Sequence, residues 1–367
     1  MRFLLGLAML LAPACAAGAT ETGANYNYMA AALQGDLSGA EKALEQSDLD
    51  ADKETLAKFR ARFVARTDGL DLDLIANEAV RDVAAAYQDY WRDALLAPQN
   101  RAELEIDLIE DIRDIVAREG ADASDFVTEA ELERLRTEKE NADRGASLIS
   151  QWLVPWIEAR GQRALTGRTQ PFLELMLWAR NREEMESVTL TDGVFDVPVI
   201  YQEGFVASGW TYFATFDRAR AGGWANADGL FVVAEAYDDL NDESFQISFL
   251  KHEARHYVDA TRYPNISPAD REYRAKLTEL IFARDSIDSR LTHFARSGAR
   301  IDVAHPLANW HVTRDLADAL YGESPPENWW ENADHDRVRD AAARLLERHT
   351  ATLDAAGADT TPGVIAP

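Results

Sequence analysis

Cysteine is almost absent from this chain of 367 residues, with Cys15 as the single example. A folded domain without a second cysteine cannot form an internal disulfide, so its stability must come from a buried core. The sequence also lacks an apolar run of 18 or more residues, and we therefore predict no transmembrane helix. Its length is sufficient for one large or two medium domains.

Basic residues are in short supply, with 38 Lys and Arg against 64 Asp and Glu, which gives a formal net charge of -26. Such a charge repels a phosphate backbone, so we predict no nucleic-acid partner. The many carboxylates indicate a solvated, largely helical surface and do not identify a particular cationic ligand. The hydrophobic share of 47% and the charged share of 28% are typical of a globular protein.

The first residues have the pattern of an export signal. Arg2 is followed by an apolar stretch over residues 3–12 and by small residues over 14–19. This order is typical of a secretory signal peptide, which we assign to residues 1–19, with the mature chain beginning near Thr20. The mature protein is therefore expected to be periplasmic or secreted.

Cys15 raises the alternative of a lipid anchor. It lies just after the apolar stretch, where bacterial lipoproteins carry the cysteine that is lipidated after signal removal. The preceding residues depart from the usual lipobox, because Leu11 is one position too early and Pro13 is unusual there. An anchored lipoprotein and a free exported protein both stay open.

Apolar periodicity predicts an α+β fold that is predominantly helical. Residues 25–163 have helical spacing throughout, and helical patterns return over 243–261, 267–284 and 334–353. We divide the chain into a signal peptide over 1–19, a helical N-terminal domain over 20–165, a second domain over 166–354 and a flexible tail over 355–367.

Short β-branched runs in the second domain predict a small mixed or antiparallel sheet. The predicted strands cover residues 188–190, 194–201, 212–216 and 230–234, with a glycine-bearing loop over 222–229. Pro198 cannot donate to a strand ladder, so the pattern favours an edge position for its strand.

The helix predicted to start near Asp242 or Ser244 contains His252-Glu253-Ala254-Arg255-His256. At 3.6 residues per turn, His252 and His256 lie one above the other on one face. Two neutral imidazoles in this arrangement can bind one Zn²⁺, and Glu253 can reach a water beside it. Accidental occurrence is a poor explanation in a chain with only seven histidines.

A catalytic zinc needs a third protein ligand, which usually lies on the next helix. The segment after the turn at residues 263–268 offers Glu272 and Glu279, which are seven residues apart and share a helical face. Spacing alone does not choose between them.

These motifs resemble those of the gluzincins, zinc metallopeptidases with an HExxH helix and a downstream glutamate ligand. Glu272-Tyr273-Arg274-Ala275 is similar to their Glu-Tyr-x-Ala pattern, and the resemblance covers residues 190–285. It implies a zincin-like domain over 166–354, with His252, His256 and Glu272 as zinc ligands and Glu253 as general base. It also implies that a strand over residues 229–237 binds the substrate backbone at a sheet edge, although an interior strand without ligand contacts is the alternative.

One departure from the gluzincin pattern concerns the group that orients a ligand histidine. Lys276 stands four residues after Glu272, where related enzymes often have an aspartate. Asp259 or Glu279 could take over this task, and a solvated carboxylate is an equal alternative for Asp259.

The predicted function is that of an exported zinc metallopeptidase with a peptide or protein substrate. Two alternatives are a non-catalytic, metal-containing envelope binding protein, and a zinc hydrolase of another amide or an ester, for example in cell-wall material. A donor to the oxyanion is also required. The sequence does not choose among the candidates Tyr257, Tyr263, Arg274, His305 and His311.

Overall fold

The computed structural model describes residues 10–11, 28–120, 122–137, 142–297, 303–357 and 363. The predicted signal peptide with Cys15 lies outside the described residues except for Leu10–Leu11, and so does most of the predicted tail. The predominantly helical α+β class is confirmed. In the described part of the chain, no helix combines the length and the apolar character that a bilayer crossing requires.

Contacts divide the chain into two compact units. The helical unit comprises the described residues within 11–181 and 202–221, and the C-terminal unit comprises those within 1–10, 182–201 and 222–367. Residues 166–181, which we had placed in the second predicted domain, cluster with the helical unit. Each unit has its own buried apolar cores.

The helical unit is built from helices joined by short turns, with two long strands that continue beyond it. In chain order its elements, preceded by the two-residue strand β1 (Leu10–Leu11), are α1 (Tyr28–Gln34), α2 (Ala40–Glu45), α3 (Asp50–Phe59), α4 (Glu78–Leu96), α5 (Arg101–Arg118), α6 (Ala123–Phe126), α7 (Glu129–Thr137), α8 (Ala142–Glu158), β2 (Arg163–Thr169), β3 (Phe172–Leu190), β4 (Gly193–Ser208) and α9 (Gly209–Ala214). The helical pattern predicted over residues 25–163 is confirmed by the helices α1 to α8.

Local chemistry explains where the central helix of this unit begins. Asn77 caps α4, because its side chain accepts a hydrogen bond from the Val80 N–H at 3.1 Å. Further along α4, Trp91 is fully buried and donates from Nε1 to the carbonyl of Leu173 at 2.9 Å. The apolar face of α4 thus packs into the core of the helical unit.

The C-terminal unit contains the HExxH segment. Besides the parts of β3 and β4 over residues 182–201, its elements are β5 (Ala221–Asn226), β6 (Gly229–Val233), α10 (Glu243–Phe245), α11 (His252–Arg262), α12 (Pro268–Phe282), α13 (Ile287–Arg296), α14 (Ala304–Tyr321) and α15 (His335–Ala356). A π-helical turn over Gln246–Lys251 joins α10 to α11. Ser267 caps α12, because its side chain accepts a hydrogen bond from the Asp270 N–H at 3.1 Å, and Pro268 occupies the first turn. The observed start agrees with the helical pattern predicted from residue 267.

The strands of the C-terminal unit follow the order β5-β6-β4-β3, and β1 is the neighbour of β5. β5 and β6 are antiparallel, with Gly223 opposite Val232 and Asn226 opposite Gly229. In the helical unit β2 pairs with the first part of β3, also in antiparallel register.

Four predictions about the strands were wrong. Residues 222–229 were predicted as a loop, but most of them form β5 and its turn into β6. Gly223 lets β5 approach β6 closely, because a Cβ at this position would lie 2.2 Å from the carbonyl oxygen of Phe231. Pro198 is not at an edge, since β4 lies between β6 and β3; proline removes one ladder donor but keeps its carbonyl.

Residues 212–216 were predicted as a strand and belong largely to helix α9. Gly209 starts this helix at a φ of +90°, and the Glu174 carboxylate accepts from the Trp210 N–H at 2.9 Å. Tertiary contacts thus override the β propensity of this segment. The predicted substrate-binding edge over residues 229–237 is also wrong for β6, which is flanked by β5 and β4.

Candidate metal centre

Helix α11 places the two histidines of the HExxH segment side by side. The Nε2 atoms of His252 and His256 are 3.0 Å apart, and the two rings are nearly perpendicular at 88°. Both side chains are buried, with relative exposures of 0% and 9%. The π-helical turn directly precedes His252, and such turns are frequent at functional sites.

Helix α12 packs against α11 and brings Glu272 to the two imidazoles. Glu272 Oε1 lies 3.3 Å from His256 Nε2, and Glu272 Oε2 lies 3.5 Å from His252 Nε2. Ligands at about 2.05 Å from a tetrahedral zinc ion are separated by about 3.3 Å, so the three side chains fit such an ion. Among the described residues, they are the group of three whose ligand atoms all lie within 4.8 Å of one another.

Glu279 lies on the other side of the His252 ring. Its Oε1 is 2.6 Å from His252 Nδ1, and its Oε2 accepts from Arg290 Nη1 on α13. A hydrogen bond at Nδ1 leaves Nε2 free to bind a metal. Of the two carboxylates considered for orienting a ligand histidine, Glu279 is therefore the one in contact with it.

The charges around the histidines also favour a bound cation. Burial by itself would lower the pKa of His252, but hydrogen bonds and charges of Glu272 and Glu279 outweigh it and raise this pKa to about 10. Burial lowers the pKa of His256 to about 4. The metal-free site thus holds a proton on His252 between two carboxylates, and a divalent ion could replace that positive charge.

Glu253 is buried beside the histidines, with a relative exposure of 2%. Burial, together with the charges of Glu272 and Glu279, raises its pKa to about 8 despite the opposing charge of His252 and a backbone hydrogen bond from Ala225. Its Oε1 has no hydrogen-bond partner within the described part of the chain. A buried carboxylate with an unused oxygen and a pKa near neutrality has the properties of a general base.

Asp259 does not contact either histidine of the motif. Arg274 donates to it from Nε at 2.6 Å and from Nη2 at 3.0 Å, and Arg255 Nη1 lies 3.4 Å away. Both Asp259 and Arg274 have 0% exposure. This ion pair joins α11 to α12, so its role is to fix the two helices that carry the site.

The remaining oxyanion candidates are spread over the C-terminal unit. Tyr263 donates to Asp354 Oδ1 at 2.6 Å, and Tyr257 lines a surface groove of about 370 Å³. His311 is buried against Trp310. Of these five candidates, His305 contacts the three-ligand group, since its Nδ1 lies 2.9 Å from Glu272 Oε2.

Two residues that contact the site were not predicted in these roles. Arg290 pairs with Glu279 and thereby supports the carboxylate behind His252. The backbone N–H of Ala225 in β5 faces Glu253, which connects the sheet to the predicted base. Neither position carries a sequence signal, because one is a single arginine eleven residues after Glu279 and the other is a main-chain group.

Comparison with protein-family models, curated proteins and solved structures gave no match to this chain.

Proposed function

We propose that this chain is an exported zinc metallopeptidase, with His252, His256 and Glu272 as zinc ligands and Glu253 as general base. The observation that carries the proposal is the close approach of the three side chains: the two Nε2 atoms are 3.0 Å apart, Glu272 Oε1 lies 3.3 Å from that of His256, and Glu272 Oε2 lies 3.5 Å from that of His252. Three nitrogen and oxygen ligands leave a fourth tetrahedral position for water or substrate. Export is proposed from the pattern of residues 1–19 alone.

The zincin-like character of the C-terminal unit belongs to the same proposal. A π turn leads into the HExxH helix, the next helix supplies the glutamate, and a sheet strand reaches the general base through Ala225. These features support the resemblance to gluzincins. β6 lies between β5 and β4, so it offers no free edge for the backbone of a substrate.

A zinc ion held by these residues would polarise the scissile carbonyl and acidify the attacking water. Glu253, with its unpartnered Oε1, would act as the general base that accepts a proton from water and donates it to the leaving amine. Glu279 holds His252 in the tautomer that presents Nε2, and Arg290 keeps Glu279 ionised.

Zinc analysis and cleavage of a peptide library by the purified chain test this proposal. We expect about one zinc per chain, and Glu253→Gln should keep the zinc while losing about 10²- to 10⁴-fold in cleavage rate, the usual contribution of a general base. Chelation should abolish cleavage by the wild type, and added zinc should restore it.

Glu347→Gln is the matched control, because Glu347 is an exposed glutamate on α15. It should change neither zinc content nor rate. Bound zinc without base-dependent cleavage of any peptide would favour the non-catalytic binding protein, and cleavage of only an ester or a cell-wall amide would favour the other hydrolase. A chain that binds no zinc would refute the metal centre itself.

A further inference from the structure

The first turn of α14 places an additional histidine against the candidate metal centre. His305 is the second residue of this helix, and its Nδ1 lies 2.9 Å from Glu272 Oε2. The side chain is partly buried, with 31% relative exposure. His305 belongs to neither the HExxH segment nor the helix that carries Glu272.

The two oxygens of Glu272 have different surroundings. Oε1 is the nearer one to His256, at 3.3 Å from Nε2. Oε2 is buried and has no well-directed hydrogen bond from any described residue, although His305 Nδ1 is at hydrogen-bonding distance. Lys276 Nζ is 4.0 Å from this oxygen, which is too far for a hydrogen bond.

A buried carboxylate oxygen without a donor is costly, and a ligand carboxylate that can turn between one-oxygen and two-oxygen binding is poorly oriented. At 2.9 Å, His305 Nδ1 is close enough to donate a hydrogen bond to Oε2. That hydrogen bond would fix the orientation of the Glu272 carboxylate toward the two histidines.

We propose that His305 is a positioning residue that acts through Glu272, by donating from Nδ1 to Oε2. The inference rests on the proposed metal centre. His305 itself is not assigned as a ligand, because the group of mutually close ligand atoms consists of His252, His256 and Glu272. His305 would thus orient Glu272 in the way that Glu279 orients His252.

Zinc affinity, measured by competition with a chromogenic chelator, tests this role in three variants of the full chain. His305→Leu removes the donor and should weaken zinc binding by about 10- to 100-fold, the usual effect of losing a group that orients a metal ligand. His305→Asn places an amide N–H near the position of Nδ1 and should restore most of the affinity. His305→Gln extends its amide toward the position of Nε2 and should restore little.

His335→Leu is the matched control. His335 also pairs with a carboxylate, through Nε2 at 2.8 Å from Asp288 Oδ1, and is 39% exposed. It should leave zinc affinity at the wild-type value. The Asn and Gln variants carry the same amide group, so a difference in zinc affinity between them reports the position of the donor.

The outcomes separate the two proposals. A wild-type chain that binds no zinc refutes the proposed function. If the wild type binds zinc and His305→Leu binds it equally well, the positioning role is refuted while the metal centre stands. Equal recovery by Asn and Gln would also overturn it, since the position of the donor would then be irrelevant.

Discussion

Replacing Glu279 by Gln should separate the stability of the candidate metal centre from its affinity for zinc. Glu279 bridges His252 Nδ1, at 2.6 Å, and Arg290 Nη1, and its side chain is 6% exposed. Burial by itself would raise its pKa, but Arg290 and His252 lower this pKa to about 2, so the carboxylate is ionised at pH 7. Gln has the same length but carries no charge.

Two effects follow in the variant. Arg290 becomes a buried cation without its counter-charge, which should lower the free energy of unfolding of the metal-free protein by about 3 to 5 kcal/mol. His252 loses the anionic acceptor that orients it, which should weaken zinc binding by about 10- to 100-fold. At free zinc of about 100 times the wild-type Kd, the wild type gains about 2.7 kcal/mol, and a site about 30-fold weaker gains only about 0.9 kcal/mol.

Urea unfolding at pH 7, with and without buffered zinc, measures both quantities. The first is the shift of the metal-free transition, and the second is the additional shift that zinc produces. If the variant gained as much from zinc as the wild type does, Glu279 would have no orienting role at His252. An unchanged metal-free transition would contradict the buried ion pair with Arg290.

Two further predictions concern stability. Burial raises the pKa of Glu174 to about 7, so the folded protein retains a proton that the unfolded chain releases near pH 4.5. The contribution of Glu174 to the free energy of unfolding should therefore be greatest below pH 4.5 and fall by up to about 3 kcal/mol as the pH rises to 7, and urea titrations of Glu174→Gln should lack this contribution to the slope. Gly223→Ala should cost about 2 kcal/mol or more in thermal unfolding, because its φ is +151° and the new Cβ would lie 2.2 Å from the Phe231 carbonyl oxygen; a melting temperature equal to that of the wild type would disprove the close approach.

Periodicity in the sequence was sufficient for most helices, because an amphipathic helix is encoded by neighbours three and four positions apart. Helix α12 begins at the start of the predicted helical pattern over 267–284, where Ser267 caps it, since capping is a local interaction. The strands were harder to predict. The glycine-rich segment of β5 and the helix α9 depend on contacts with Phe231 and Glu174, which lie elsewhere in the chain.

By itself, the sequence determined that His252 and His256 stand one turn apart with Glu253 between them, because helical geometry follows from spacing alone. Spacing left Glu272 and Glu279 equivalent, since residues seven apart share a helix face, and only the resemblance to gluzincins favoured Glu272. Only the packing of α12 against α11 decided which carboxylate meets the Nε2 atoms and which meets Nδ1. The positions of Arg290 and His305 were likewise decided by α13 and α14, because contacts between helices far apart in the chain depend on how their faces pack.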